Sequence, residues 1–285
     1  MVLVVGGGTM GAGIAHALAR AGRQVRLCET DAHAAAAARE RVLAGLERAG
    51  APEAAGLIEV VAGVSAPADT ELAIEAVPED VAVKRAVLAR IEASVPAGAL
   101  IGTNTSSLSI GELAESLERP ERFLGMHFFN PVPRSSLVEL VIGPRTDAGA
   151  VDAAREWVRL LGKEEIVVRD SPGFATSRLG VAIGIEAIRM LEEEVASAED
   201  IDRAMVLGYR FPMGPLRLSD LVGLDVRLAI ADHLAETLGP RFSAPRLLRD
   251  KVAAGELGKK TGRGFFTWET APSDRRSAGA GSEAP

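Results

Sequence analysis

The amino-acid sequence predicts an α/β fold in which a doubly wound sheet is followed by a smaller, all-α domain. Three observations lead to this prediction. Short apolar runs rich in β-branched residues alternate with segments of helical periodicity over residues 2–168. A turn sequence, Ser171-Pro172-Gly173, then interrupts the alternation. Beyond this turn only helical periodicity remains, as far as about residue 256.

Alternation of this kind forms βαβ units, in which helices cover both faces of a mainly parallel sheet. Strands are expected at Val2–Val5 and Val25–Cys28, and near residues 58–61, 72–77, 99–103, 122–129, 137–142 and 165–168. Helices are expected between them near residues 9–21, 32–49, 80–94, 108–116 and 147–161. In the second part, helices are expected near residues 174–194, 199–207, 215–222, 224–238 and 245–254.

The change of pattern at the turn predicts two domains and a tail. Residues 1–171 form the sheet domain, and residues 172–270 form the helical domain. Residues 271–285 contain Ala, Gly, Ser, Pro and charged residues without an apolar anchor. We therefore expect this tail to be disordered.

Composition narrows the class of protein. The 285 residues carry a formal net charge of −7 at pH 7, whereas nucleic-acid and membrane-surface proteins usually present a basic patch. Cys28 is the sole cysteine, which excludes an intrachain disulfide and favours a reducing compartment. No signal-peptide pattern or apolar run of membrane-helix length occurs. We expect a cytoplasmic protein that binds neither nucleic acid nor membranes and has no metal site.

A glycine-rich turn joins the first predicted strand to the first helix. Gly6-Gly7-Gly8-Thr9-Met10-Gly11 has the Gly-x-Gly-x-x-Gly spacing of a dinucleotide-binding Rossmann fold, in which a pyrophosphate approaches the helix N-terminus. Glu29 follows at the end of the second predicted strand. A carboxylate there accepts hydrogen bonds from the ribose hydroxyls and repels a 2′-phosphate, which favours NAD over NADP. The alternative is a glycine-rich turn with a surface glutamate.

His127 stands out among the four histidines because it lies in an apolar predicted strand that ends at Pro131. Glu139 lies within the next apolar run, and a buried carboxylate is costly unless it is paired. A His–Glu pair at the carboxyl edge of the sheet, beside NAD, would provide the base that oxidation of an alcohol needs. A satisfied pair within the protein core is the open alternative.

Polar residues also occur at the ends of two other predicted strands, at the edge where open α/β sheets bind ligands. Glu75-Ala76-Val77-Pro78-Glu79 ends one of them, with Lys84 a turn into the next helix. Asn104-Thr105-Ser106-Ser107 comes after the strand that ends at Thr103, and a hydroxyl here can bind a substrate oxygen. The alternative is a helix cap, provided by Ser107 or Ser109.

These residues resemble the (S)-3-hydroxyacyl-CoA dehydrogenases, especially bacterial 3-hydroxybutyryl-CoA dehydrogenases. The resemblance covers residues 2 to about 268, and its motifs are more specific together than any one alone. They are Gly6 to Gly13, Glu75 to Glu79, Asn104 to Leu108, His127 to Pro133, Pro212 to Pro215, Gly223 to Asp225 and Gly258 to Phe265.

The resemblance implies a role for each matching residue. His127 is the base, Glu139 orients it, and Ser106 contacts substrate and nicotinamide. The second domain forms most of a homodimer interface and closes over the acyl chain. The implied cofactor contacts are Gly6, Gly8, Thr9, Met10, Gly11, Glu29, Ala76, Val77, Glu79, Lys84, Asn104, Ser106, Asn130 and Lys260, and the implied substrate contacts are Ser106, His127 and Asn130.

The sequence departs from the family pattern at two places. Ser177 stands where the family usually has a catalytic asparagine, three residues after Phe174. Residues 47–57 are short where relatives often carry a lysine-bearing helical hairpin that contacts the coenzyme A nucleotide, and Arg48 is the candidate substitute. The expected activity is NAD-dependent oxidation of short-chain 3-hydroxyacyl-CoA. A dehydrogenase of free hydroxy acids, similar to gulonate dehydrogenases, and a non-catalytic dinucleotide-binding protein are the alternatives.

Overall fold

The structure is a computed structural model that describes residues 1–269, so the predicted tail at 271–285 lies outside the described residues. The chain divides into two compact units. The first is Met1–Phe174 and the second begins at Ala175.

The first unit contains an eight-stranded sheet with the strand order β3-β2-β1-β4-β5-β6-β7-β8. All neighbouring strands are parallel except β6 and β7, which are antiparallel. The short connection between β6 and β7 contains no helix that could carry the chain back across the sheet, so the two strands run in opposite directions. The strands are β1 (Val2–Val5), β2 (Val25–Glu29), β3 (Ile58–Ala62), β4 (Leu72–Glu75), β5 (Leu100–Thr103), β6 (Phe123–Phe128), β7 (Leu137–Ile142) and β8 (Glu164–Arg169).

Helices cover both faces of this sheet, as the sequence pattern predicts. Alternate residues of one strand enter different hydrophobic clusters: Val2 and Val4 pack on one face, and Leu3 and Val5 on the other. The helices are α1 (Thr9–Arg20), α2 (Ala32–Arg48), α3 (Val81–Ser94), α4 (Ile110–Ala114) and α5 (Ala148–Leu160), with 3₁₀ turns at Pro52–Leu57 and Pro120–Arg122.

The second unit, as far as it is described, is built from helices. Asp202 and Asp220 hold it together: Asp202 accepts hydrogen bonds from the backbone of Leu216 and Arg217, and Asp220 accepts them from the segment around Phe266. The predicted α/β class with a helical C-terminal part is confirmed. The helices are α6 (Thr176–Glu192), α7 (Ala198–Arg203), α8 (Pro215–Val222), α9 (Leu224–Leu238) and α10 (Arg246–Ala253), with a π-helical turn at Ala204–Gly208 and 3₁₀ turns at Pro240–Phe242 and Lys259–Thr261.

The predicted boundaries of four elements are wrong by two or more residues. The helix expected near residues 108–116 is the shorter α4, Ile110–Ala114. Strand β4 ends at Glu75, so Ala76 and Val77 lie in the loop beyond it. Helix α6 begins at Thr176 instead of residue 174, because Phe174 adopts a left-handed conformation with φ of 51°. The helix predicted over 199–207 ends at Arg203 and continues as the π-helical turn. Within residues 1–269, no helix has both the length and the apolar character needed to span a bilayer.

Candidate active site

The candidate site lies at the carboxyl edge of the sheet. Strand β1 is hydrogen-bonded to β2 on one side and to β4 on the other, so the strand order reverses direction between β1 and β4. Parallel α/β sheets bind ligands in the crevice at such a point. The carboxyl ends of the parallel strands β1, β4, β5 and β6 all lie at this edge.

The glycine-rich turn occupies the end of β1 and is shaped for a close approach of backbone to ligand. Gly6 has a φ of 99°, and a Cβ added there would lie 2.6 Å from the Ala76 carbonyl oxygen. A Cβ at Gly11 would lie 1.7 Å from the Gly6 carbonyl oxygen, so neither position accepts a side chain. Gly8, in contrast, faces open space, and a Cβ added there would have no atom within 4 Å. These features fit the pyrophosphate of NAD, which needs bare backbone at the N-terminus of α1.

Glu29 ends β2 beside this turn. Its Oε1 atom accepts a hydrogen bond of 2.6 Å from the backbone N–H of Gly7, and Thr30 N–H donates to Oε2. Arg26, the nearby cation of the same strand, is paired with Glu59 at 2.7 Å. Glu29 therefore combines a fixed position with a carboxylate charge, as selection of NAD over NADP requires.

His127 and Glu139 lie opposite each other in the antiparallel pair β6–β7. His127 Nδ1 is 3.0 Å from Glu139 Oε2. His127 is 6% exposed and Glu139 is fully buried. The rings of Phe129 and Phe174 lie 4.4 and 6.0 Å from the imidazole, between centroids. The structure thus brings the predicted pair together at the edge that carries the glycine-rich turn.

Asn104 connects the ends of β5 and β6. Its Oδ1 atom accepts a hydrogen bond of 2.8 Å from the backbone N–H of Phe128, next to His127. Ser106 follows in the same loop and is half-buried. Ser109, one of the two proposed caps, is the N-cap of α4 and accepts from the Glu112 N–H.

The other predicted cofactor contacts fall into two groups. Thr9, Met10, Ala76, Val77 and Asn130 surround the carboxyl edge in the first unit, at the start of α1 and in the loops after β4 and β6. Lys260 and Ser177 belong to the second unit, where Lys260 Nζ contacts both carboxylate oxygens of Asp225 at 2.6 Å. Ser177 is the second residue of α6 and is half-buried.

Sequence reasoning missed a cluster of buried polar side chains between β4, β5 and α3. Lys84 is 1% exposed, and its Nζ atom lies 2.8 Å from Glu75 Oε1 and 3.4 Å from Glu79 Oε2. Thr103 donates to Glu75, and Thr105 donates to Glu79. The sequence contains a signal for this cluster, because Glu75 is a carboxylate at the end of an apolar strand. A buried carboxylate needs a partner, and the same argument identified Glu139.

A basic groove opens beside α1 and α2 in the first unit. Its volume is about 830 Å³, and it extends from Thr9 to the loop at Asn130. Since the chain as a whole is acidic, this concentration of guanidinium groups gives the groove a local positive charge that favours an anionic ligand. Its charged lining residues are Arg20, Arg41, Arg48 and Arg134, accompanied by Glu40.

A cradle for NAD and a buried imidazole–carboxylate pair at the same sheet edge are the requirements of a dehydrogenase that removes hydride from an alcohol carbon. By fold and site, this chain falls into the class of NAD-dependent oxidoreductases acting on CH–OH groups. Family models make the assignment specific. Residues 1–171 match the NAD binding domain of 3-hydroxyacyl-CoA dehydrogenase, and residues 173–268 match its C-terminal domain. The chain belongs to the 3-hydroxyacyl-CoA dehydrogenase family.

Individual relatives agree with this assignment. The chain is 43% identical over 277 residues to a 3-hydroxybutyryl-CoA dehydrogenase of Mycobacterium tuberculosis, covering 93% of this chain and 97% of the relative. It is 36% identical to a mitochondrial hydroxyacyl-coenzyme A dehydrogenase of Sus scrofa, with 94% and 91% covered. The crystal structure of M. tuberculosis FadB2 is similar with a TM-score of 0.89 and 43% identity, covering 94% of this chain and 98% of that one. The (S)-3-hydroxybutyryl-CoA dehydrogenase PaaH1 of Ralstonia eutropha has a TM-score of 0.87 and 38% identity, with 94% and 99% covered.

Proposed function

We propose that the protein catalyses the reversible, NAD-dependent oxidation of short-chain (S)-3-hydroxyacyl-CoA, such as 3-hydroxybutyryl-CoA, to 3-oxoacyl-CoA. The observation that carries this proposal is the His127–Glu139 pair at the sheet edge that holds the glycine-rich turn. Relatives named as dehydrogenases of hydroxyacyl-CoA and 3-hydroxybutyryl-CoA support the substrate class.

His127 acts as the general base. An ionised carboxylate can only accept hydrogen bonds, so Nδ1 carries the proton shared with Glu139 and Nε2 keeps its lone pair. Nε2 takes the proton of the substrate 3-hydroxyl while the hydrogen on C3 leaves with its electron pair. Glu139 then stabilises the imidazolium that forms. Bound NAD supplies the hydride acceptor.

The surroundings of the imidazole favour this proton transfer. Phe129 and Phe174 pack against His127 and limit the access of water, which strengthens its interaction with Glu139. Ser106 is proposed to donate a hydrogen bond to the substrate oxygen, and Asn104 fixes the backbone next to the base. In the reverse direction the imidazolium returns its proton to the alkoxide oxygen.

The basic groove is the proposed site of the coenzyme A phosphates. Arg48 ends α2 within the shortened segment at residues 47–57, and the guanidinium groups of Arg20, Arg41 and Arg134 line the same groove. Arginine pairs with phosphate through two parallel N–H donors, so these side chains replace the lysines that the short segment lacks. Asn130 also lines the groove, and it follows His127 closely in the sequence.

Activity with a graded set of substrates tests the proposal. We expect NADH oxidation with acetoacetyl-CoA, with kcat/KM falling as the 3-oxoacyl chain is lengthened from four to sixteen carbons. Free acetoacetate should not be turned over. Absence of turnover with every 3-oxoacyl-CoA in the series would refute the proposed function.

The groove can be tested in the same assay. Arg48→Glu is expected to raise the KM for acetoacetyl-CoA about tenfold, because it replaces an attractive charge with a repulsive one worth roughly 1.4 kcal/mol. The N-acetylcysteamine thioester of acetoacetate lacks the nucleotide, so its KM should not change. Arg39→Glu on the same helix, outside the groove, is the matched control.

Oxidation of a free hydroxy acid is the second candidate. The shortened segment at residues 47–57 favours it. A similar structure, with 30% identity and a TM-score of 0.75, is a 5-formyl-3-hydroxy-2-methylpyridine 4-carboxylic acid 5-dehydrogenase, whose name gives a free acid without a thioester, although the group it names is an aldehyde. Turnover of a free acid but not of its thioester would decide for this candidate. NADH binding without any turnover, unaffected by His127→Ala, would instead indicate a non-catalytic dinucleotide-binding protein.

We also propose a homodimer that forms through the second unit. Contiguous exposed apolar patches mark association surfaces, and Leu218, Leu221 and Val222 have the i, i+3, i+4 spacing that places them on one side of α8 in this unit. Sedimentation equilibrium is expected to give twice the chain mass of 29.8 kDa, and a monomer at micromolar concentration would contradict the proposal. The large hydrophobic side chains that are exposed in the described part of the second unit are Leu179, Val195, Leu207, Tyr209, Leu218, Leu221, Val222 and Val226.

A further inference from the structure

The buried polar cluster between β4, β5 and α3 contains two carboxylates and one ammonium group. Glu75 is fully buried, Lys84 is 1% exposed, and the Glu79 side chain is 37% exposed. Lys84 Nζ donates to Glu75 Oε1 at 2.8 Å and to the Val77 carbonyl oxygen at 3.1 Å. Lysine in a protein interior is stable only when its charge is compensated, so this cluster holds its members in one arrangement.

Glu79 accepts hydrogen bonds from three residues of the loop that follows β5. Its Oε1 atom accepts from the Thr105 hydroxyl at 2.6 Å, the Ser106 N–H at 2.9 Å and the Ser107 N–H at 3.1 Å. Burial raises the pKa of Glu79, but the charge of Lys84 and these hydrogen bonds outweigh it and hold the pKa below its ordinary value. The ionised carboxylate is therefore the common anchor of a loop that contains a proposed contact of substrate and nicotinamide, Ser106.

Glu75 fixes the lysine that holds Glu79. Its Oε1 atom accepts from Lys84 and from the Val77 N–H at 2.7 Å, and its Oε2 atom accepts from the Thr103 hydroxyl. Every oxygen of the Glu75 carboxylate is thus engaged inside the protein, and none faces solvent. The side chain connects the end of β4 with the end of β5 and with α3.

We propose that Glu75 is a positioning residue that acts through Lys84 and Glu79 to fix the Thr105–Ser107 segment at the NAD-binding edge. Lys84 is then the buried counter-ion of the Glu75 and Glu79 carboxylates. Glu75 contributes geometry to the site and takes no proton in the reaction. The inference rests on the proposed function only for its effect on turnover, because cofactor binding can be measured without substrate.

Glu75→Gln tests the role of the charge, because glutamine keeps the size of the side chain. Lys84 is then no longer shared between two carboxylates, and we expect it to draw Glu79 away from the loop. The expected results are a Kd for NADH, from fluorescence titration, raised about tenfold and a kcat lowered about tenfold or more, since small displacements in an active site have effects of this size. The KM for acetoacetyl-CoA should change less than twofold.

Glu92→Gln is the matched control. Glu92 is also a buried carboxylate of the first unit, 6% exposed, and accepts from the backbone of Glu118 and Arg119 away from the site. We expect Glu92→Gln to lower the thermal midpoint without changing the Kd for NADH or kcat. Thr103→Val keeps every charge and removes one donor to Glu75 together with a weak acceptor, at 3.4 Å, of the Thr105 N–H. It should therefore shift the Kd for NADH about threefold even if Glu75→Gln fails to fold.

A Kd for NADH within twofold of the wild-type value in both Glu75→Gln and Thr103→Val would overturn the inference. Equal effects of Glu75→Gln and Glu92→Gln on kcat would also overturn it, because they would indicate loss of stability alone. Wild-type protein that binds NADH but turns over no 3-oxoacyl-CoA would refute the proposed function and still leave the NADH titrations as a valid test of Glu75.

Discussion

Replacement of His127 by glutamine is expected to lower kcat about 10³-fold while the Kd for NADH stays within twofold of the wild-type value. Glutamine fills similar space but cannot accept the hydroxyl proton, and positioned general bases contribute roughly 10²- to 10⁴-fold to such reactions. The side chain of His127 contacts Glu139, Phe129 and Phe174, none of which belongs to the glycine-rich turn that is expected to bind the cofactor. Steady-state kinetics with acetoacetyl-CoA and NADH fluorescence titration measure the two quantities.

Glu139→Gln separates the orienting role from the role of the base. The amide oxygen can still accept the Nδ1–H, but the charge that stabilises the imidazolium is gone, so we expect a smaller loss of about 10²-fold in kcat. His233→Gln on α9 is the control for removal of a histidine elsewhere and should leave kcat unchanged. A His127→Gln enzyme with more than a tenth of the wild-type kcat would exclude His127 as the base.

The His127–Glu139 pair shows what the sequence can predict about such a site. A carboxylate inside an apolar run requires a partner, and His127 was the suitable group on a neighbouring strand. The strand direction could not be predicted in this way. The antiparallel register that sets His127 opposite Glu139 follows from the short connection between β6 and β7, which contains no helix.

Glu75 shows where the same reasoning stops. It stands at the end of β4, where a glutamate can face either solvent or the protein interior, and only the packing of α3 settles the choice. Lys84 was expected to contact the cofactor, whereas its ammonium group contacts Glu75, Glu79 and the Val77 carbonyl. A direct contact of Lys84 with NAD remains a prediction, and its exposure of only 1% favours an indirect role. Glu75, Glu79 and Lys84 are close together in the sequence, but Thr103 and Thr105 join them from β5 and the loop after it, and that contact follows only from the pairing of β4 with β5.

Gly8→Ala is expected to raise the Kd for NADH about 10- to 100-fold without lowering the thermal midpoint of the free protein. Gly8 has a φ of −62°, which alanine adopts freely, and its added methyl group would meet no protein atom within 4 Å. The methyl group would instead occupy the space that the pyrophosphate needs to reach the backbone N–H groups. Loss of one hydrogen bond to a charged group costs about 1.5–3 kcal/mol, which corresponds to this range of Kd.

Two further glycines make the comparison decisive. Gly56→Ala also adds a methyl group in open space, but in the 3₁₀ turn away from the carboxyl edge, so both the Kd for NADH and the thermal midpoint should stay at wild-type values. Gly11→Ala places its Cβ against the Gly6 carbonyl oxygen and should lower the thermal midpoint as well as the affinity. If Gly8→Ala bound NADH as tightly as Gly56→Ala does, the pyrophosphate would not lie against this turn, and the cofactor site would have to be sought elsewhere along the sheet edge.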